Sequence, residues 1–173
     1  MAENTRLIYD IIDKLNSHKQ GGLLLLIDFE KAFNSVEWNF LDEALKFFNF
    51  GESIRRWVKT FYKNINSSIL YNGHCSNSFS VSRGVRQRDP LSPYLFIICA
   101  ELLADAIKQN GQINGITVNN EEFLLGQYAD DTFFLLDGTQ TSLSHCVATL
   151  ELFGECSSLK VNIEGGIEGG MAG

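Results

Sequence analysis

Apolar residues return every three to four positions over residues 3–18, where Leu7, Ile8, Ile11, Ile12 and Leu15 share one stripe. Asn4 or Thr5 supplies a cap, and Gly21-Gly22 ends the predicted helix. Residues 23–27 (Leu-Leu-Leu-Leu-Ile) break that period. They are apolar on both faces, as a central strand covered on each side would be. Two helical stretches follow at roughly 37–48 and 52–64. Phe47, Phe48 and Phe50 close the first, and Ile54, Trp57, Val58, Phe61 and Tyr62 stripe the second.

Residues 68–71 and 78–81 read as the strands of a hairpin around Asn72-Gly73. After a basic loop, Ser92 and Pro93 have the cap and first-turn chemistry of a helix running to about Gln109. Residues 123–127 and 132–136 flank Asp130-Asp131 as a second hairpin. Residues 139–156 are helical, 160–163 form a short last strand, and 164–173 read as a flexible glycine-rich tail. The predicted order is α-β-αα-ββ-α-ββ-α. That order describes one α+β domain over residues 1–163 with an antiparallel sheet.

Composition narrows the picture. The chain has 173 residues, 45% hydrophobic and 20% charged, enough to bury a sizeable core and too apolar for wholesale disorder. Fourteen basic residues face 21 acidic ones, and the net charge of −7 argues against a free-standing nucleic-acid binder. It suits a piece that keeps a carboxylate-rich metal site without its basic surroundings. Cys75, Cys99, Cys146 and Cys156 show no paired spacing, so free thiols in a reducing compartment are expected. His74-Cys75 and His145-Cys146 offer zinc ligands, but no C-x-x-C knuckle accompanies them. The longest apolar run is too short to cross a bilayer, and no membrane partner is expected.

Three carboxylates stand in unusual places. Asp28 ends an otherwise apolar strand, and Asp130 and Asp131 sit together at the tip of an apolar hairpin. Adjacent ionised carboxylates repel each other, and a divalent cation relieves that repulsion; hard oxygen ligands suit magnesium. If the two strands are neighbours, Asp28 and Asp130 converge on two metals suited to phosphoryl transfer. Asp-Asp also fits a solvated turn and a strand-ending Asp also fits a helix cap, so spacing leaves both readings open.

The local strings favour the metal site. Leu26-Ile27-Asp28-Phe29-Glu30-Lys31-Ala32-Phe33 resembles the first catalytic motif of reverse transcriptases from non-LTR retrotransposons. Arg83-Gly84-Val85-Arg86-Gln87, followed by Asp89-Pro90-Leu91-Ser92-Pro93, resembles that family's nucleotide- and template-positioning loop. Tyr128-Ala129-Asp130-Asp131 resembles its double-aspartate signature, and Leu159-Lys160-Val161-Asn162 the start of the motif after it. The four stand in family order over nearly the whole chain.

The resemblance implies a polymerase palm with a ferredoxin-like antiparallel sheet and helices packed mainly on one face. It implies RNA-directed DNA synthesis with magnesium, for which manganese substitutes, and RNA template, DNA primer and dNTPs as partners. Asp28, Asp130 and Asp131 would be catalytic metal ligands, with the backbone carbonyl of Phe29 completing one shell. Phe33 matches the aromatic that closes off the sugar 2′ position, although it also fits a core aromatic opening a helix. Gln87 would lie by the incoming base pair. Arg83 and Arg86 would meet phosphates or template, although a solvated basic turn also fits them.

Three positions depart from the family pattern. Arg88 stands where a glycine is usual, which would have allowed close backbone approach or a positive φ. Asn34 replaces an acidic residue, and the glycines from Gly165 stand where a lysine and threonine would continue. The first residues resemble the late part of the fingers, so fingers and thumb supplied from elsewhere are expected to be required. Two rival readings remain: a folded but non-catalytic relic, favoured by Arg88 and the glycine tail, and a two-metal nuclease.

Overall fold

The computed structural model describes residues 2–18, 21–128 and 131–168. Six helices lie in it: α1 (Ala2–His18), α2 (Ala32–Ser35), α3 (Trp38–Phe47), α4 (Glu52–Phe61), α5 (Ser92–Gln109) and α6 (Gln140–Ser157). The strands are β1 (Leu23–Glu30), β2 (Asn66–Ser67), β3 (Leu70–Tyr71), β4 (His74–Cys75), β5 (Phe79–Ser80), β6 (Ile116–Val118), β7 (Glu121–Phe123), β8 (Leu125–Tyr128), β9 (Asp131–Leu136) and β10 (Lys160–Glu168). The result is the expected α+β arrangement, with a four-stranded antiparallel sheet in the order β10-β1-β9-β8. Among the described residues, no helix is long and apolar enough to cross a membrane.

The pleat of β1 divides the interior in two, because successive side chains point to opposite faces. Leu25, Ile27 and Phe29 face the main core, where they join Phe134 and Leu136 of β9. Over them pack α3 (Leu41, Ala44, Leu45), α5 (Leu95, Phe96, Leu103, Ile107) and α6 (Cys146, Leu150, Phe153). Leu24 points the other way, into a smaller cluster with Ile11 and Leu15 of α1, Ile116 and Val118 of β6, and Phe133 and Leu135 of β9. Sequence predicted full cover on both faces of β1. The second face is covered only at its start: Leu26 is 46% exposed and Asp28 is exposed.

The elements differ from expectation where short-range chemistry competes with pattern. Asn72 (φ 47°) and Gly73 (φ 79°) form the turn between β3 and β4, as both left-handed angles of a tight hairpin require. The strand after the turn begins at once, at His74, and a second two-residue pairing, β2 with β5, continues the arm. A hairpin absent from the sequence reading, β6–β7, turns on Asn119 (φ 52°) and Asn120 (φ 68°). Ser92 is not a cap: it is the first residue of α5 with a buried side chain, and the Asp89 carboxylate accepts the Leu91 N–H at 2.8 Å. β10 extends past the expected residues 160–163 to Glu168, so residues 164–168 of the expected tail pair with β1.

The thiols are free. Burial pushes Cys99 up to about 12 and Cys146 up to about 11, which disfavours the thiolate a zinc site needs. With Cys146 buried, the His145-Cys146 zinc idea fails. Among the described residues, no group of three histidines, cysteines, aspartates or glutamates could hold a metal.

Two local arrangements position the surface loops. Between α3 and α4, Asp42 accepts from Nε and Nη2 of Arg55, at 2.9 and 2.6 Å, and from the Lys59 ammonium at 2.8 Å. The Arg55 guanidinium holds the Asp42 carboxyl below the usual carboxylate range. The loop of residues 83–88 is docked by its backbone. The Gly84 and Val85 N–H groups donate to the Val36 and Phe33 carbonyls at 2.8 and 2.6 Å, and Trp38 Nε1 donates to the Gly84 carbonyl at 2.8 Å. Gly84 has φ +87°, and a Cβ there would sit 2.7 Å from the Asn34 carbonyl oxygen. Arg88 (φ 66°) is the third residue of a turn closed by the Asp89 N–H on the Arg86 carbonyl, a position that glycine fills without strain.

Gly84→Ala should destabilise by at least about 2 kcal/mol, through left-handed strain and backbone overlap. Arg88→Gly should be neutral or stabilising by up to about 1 kcal/mol, relief of strain being partly offset by a more flexible unfolded chain. Urea denaturation of the two variants beside the parent checks both signs. For Asp42, a depressed folded pKa means that its stabilisation is present above the unfolded value of about 3.9. It is lost as pH falls through the folded value. The stability gap between parent and Asp42→Asn should therefore hold steady from pH 7 to 5 and shrink below about pH 4 in the same denaturation assay.

Candidate active site

The site is built on β1, which is hydrogen-bonded on both sides, to β10 and to β9. Its pairing with β9 runs through Leu25↔Phe134, Leu26↔Phe133 and Ile27↔Thr132. Continued by one step, that register sets Asp28 level with Asp131, the residue that opens β9. On the other side Asp28 pairs with Asn162 of β10, and Phe29 with Val161. Three of the four sequence strings thus meet at one end of one sheet. Asp130 lies outside the described residues, and Asp131 is placed by its backbone pairing with Tyr128.

Asp28 is exposed, while its strand neighbours Ile27 and Phe29 are each 3% exposed. Its carboxylate has no hydrogen bond or salt bridge to any described residue. Hard oxygens left open two residues before the end of β1, with a neighbouring strand that begins in an aspartate, fit a divalent cation. Phe29 turns its ring into the core against Phe96 and Phe153, at centroid distances of 6.0 and 6.3 Å. Packing of that side chain fixes the backbone at this point of the strand.

Phe33 follows on α2, after Lys31 in a left-handed conformation (φ 52°) has turned the chain. It is half-buried, stacked on Phe96 with centroids 5.2 Å apart and planes 25° from parallel. α5 therefore backs the ring and limits its rotation. Gln87 reaches the same segment, donating from Nε2 to Asn34 Oδ1 at 3.4 Å. Arg83 and Arg86 are exposed, and the Arg86 guanidinium donates to the Phe61 carbonyl at 3.4 Å. Asn34, Ile65, Ser67, Arg83, Arg86 and Gln87 line an open groove of about 680 Å³. A different cavity, of about 400 Å³ between α3 and α4, contains none of the predicted site residues.

The structure brings Phe33, Asn34 and the residue 83–87 loop together, and it brings β1 beside β9. Sequence reasoning missed Trp38, whose indole anchors the loop through the Gly84 carbonyl, and the Asn34–Gln87 contact. Position 34 stands out in the sequence only as a departure from the family pattern. A tryptophan shortly beyond a motif carries no signal of its own.

Comparisons with known proteins agree with this geometry. The family model described as reverse transcriptase (RNA-dependent DNA polymerase) matches residues 2–164. The Pol polyprotein of a type-1 R2 retrotransposable element from Nasonia vitripennis is 29% identical over 154 residues, covering 87% of this chain and 15% of that protein. The transposon TX1 149 kDa protein of Xenopus laevis is 26% identical over 160 residues, covering 90% and 12%. The chain thus spans a small part of the length of these two relatives. The apo telomerase from Candida tropicalis, truncated from its C-terminal domain, superposes with a TM-score of 0.61 at 17% identity, covering 98% of this chain and 36% of that one. That likeness shows a shared fold. The chain belongs to the reverse transcriptase (RNA-dependent DNA polymerase) family, with non-LTR retrotransposon proteins among its relatives.

Proposed function

We propose that this chain is the catalytic palm of an RNA-directed DNA polymerase that joins dNTPs to a DNA primer on an RNA template. The observation that supports the reading is the β1–β9 register, whose last pair, Ile27↔Thr132, stands one step from Asp28 and Asp131. Asp28, Asp130 and Asp131, with the Phe29 carbonyl, would hold magnesium; manganese has the same ligand preferences. Bound there, the metal would stabilise the attacking and leaving oxygens of an in-line displacement. The primer 3′-hydroxyl gives up its proton to solvent and attacks the α-phosphate; a new P–O bond forms as the bond from the α-phosphorus to the bridging oxygen breaks, and pyrophosphate leaves with that oxygen.

The remaining residues position the substrates. Phe33, held against Phe96, presents a rigid ring where a ribose 2′-hydroxyl would otherwise fit, which favours deoxynucleotides. Gln87 borders the nascent base pair from a loop whose backbone is tied to residues 33–36. Arg83 and Arg86 line the adjoining groove and meet phosphates or template. In this reading residues 1–163 are the end of the fingers and the palm, and fingers and thumb regions complete the grip on nucleic acid.

A second reading has one observation in its favour. Arg88 is held at φ 66° in the positioning loop, a conformation of the kind glycine adopts freely. A loop strained in this way fits a folded relic that no longer polymerises. Primer extension on an RNA template, with the palm joined to fingers and thumb of a relative, separates the two. The catalytic reading expects incorporation that falls at least about 100-fold in Asp130→Ala and rises in Arg88→Gly. Incorporation unchanged by Asp130→Ala would sink the assignment, and silence in both parent and Arg88→Gly favours the relic.

A further inference from the structure

Charge is distributed very unevenly along this acidic chain. Between residues 52 and 88 stand Arg55, Arg56, Lys59, Lys63, Arg83, Arg86 and Arg88 against the single acid Glu52, in a protein of net charge −7. Half of all its cations therefore lie in α4, the turn just after it and the positioning loop, on either side of the β2–β5 arm. Asp42 takes up Arg55 and Lys59. Among the described residues the Arg56 guanidinium meets only Glu52, at 3.6 Å, both side chains being exposed. Lys63, Arg83 and Arg88 have no carboxylate partner among the described residues.

The same stretch exposes large apolar side chains. Val58 and Tyr62 turn inward from α4, while Ile54, Trp57 and Phe61 form a separate outward stripe at helical spacing. Trp57 is 67% exposed and Phe61 55%. On the arm, Tyr71 is 81% exposed beside the Asn72-Gly73 turn, and Phe79 is also open. The Arg86 guanidinium sits on the Phe61 carbonyl, so the loop and the end of α4 form one continuous surface.

Apolar exposure alone would suit a protein partner. Rings beside exposed cations, on an otherwise acidic chain, suit a polyanion with accessible flat faces. A single-stranded polynucleotide has both, whereas a duplex hides its base faces in the stack. We propose that α4 and the β2–β5 arm are a single-strand platform, on which Trp57 and Phe61 stack bases while Arg56, Lys63 and Arg86 track phosphates. Resting on the polymerase reading, the occupant is the unpaired RNA template as it approaches the residue 83–87 groove.

The experiment is fluorescence anisotropy of a labelled oligo(rU) 15-mer against the full chain in EDTA, where catalysis plays no part. Trp57→Ala and Phe61→Ala should each weaken binding about ten-fold, with unchanged circular dichroism and thermal midpoint. Lys63→Gln should lower the slope of log K against log salt by about 0.7. Unlabelled oligo(rU) or oligo(dT) should compete better than duplex DNA of the same length. Absence of saturable binding at about 50 mM salt, or equal affinity in parent and both ring variants, overturns the platform. So does a result in which Trp57→Ala abolishes self-association in sedimentation and leaves RNA affinity untouched; the face would then be a protein interface. Because binding is read without metal or nucleotide, a dead catalytic centre leaves this test intact. Active primer extension with ring variants that bind like the parent would reject the platform alone.

Discussion

The antiparallel pairing of β1 with both β9 and β10 is the constraint on which the rest of this structure depends. Register in a strand is all or nothing: a slip of one residue sends every side chain to the opposite face. Here Leu25, Ile27 and Phe29 must face α3, α5 and α6, while Leu24 must face α1. Burial on both sides thus locks the strand. The locked register leaves Asp28 exposed beside Asn162 and level with the residue that opens β9. A hydrophobic core fixes where one carboxylate can stand without touching it.

A second constraint is local and made of backbone. The positioning loop is held to residues 33–36 by main-chain hydrogen bonds at Gly84 and Val85, with Trp38 closing over the Gly84 carbonyl. Such contact is possible only because Gly84 has no Cβ and adopts φ +87°. The loop therefore tracks the chain that leads out of β1, and whatever moves Phe33 moves Gln87. Further along the loop, Arg88 adopts φ 66° in spite of its side chain. The loop geometry is imposed by its docking, and the arginine is carried along under strain.

The larger features are legible in the sequence because they rest on patterns longer than a turn. The stripes of α1 and α4 are visible as periodicity, β1 as an apolar run that breaks it and α5 by its Ser-Pro start, and the α+β order with an antiparallel sheet follows from such signals. Asn72-Gly73 announces its turn because two successive left-handed residues favour that pair. Asn119-Asn120 performs the same task with a weaker signature, and its hairpin escapes a reading by pattern. Ser92 looks like a cap by residue type, yet Asp89 meets the free N–H at Leu91 and Ser92 is buried. The end of β10 is hidden because glycines lower strand propensity, while an edge of β1 lies available for pairing. In the candidate site, motif order singles out Asp28 and the loop. The tie between Trp38 and Gly84 joins residues far apart in sequence, and no local pattern encodes it.

Asp28, Asp130 and Asp131 must act together as a divalent-cation site if the palm is to work as proposed. Manganese titration of the purified chain, followed by the loss of the free-ion electron paramagnetic resonance signal, tests that most directly, with Asp28→Asn alongside the parent. The expected result is saturable binding in the parent that is strongly weakened in Asp28→Asn, while circular dichroism of the two proteins stays the same. Equal binding by both folded proteins, or none by either, would contradict it.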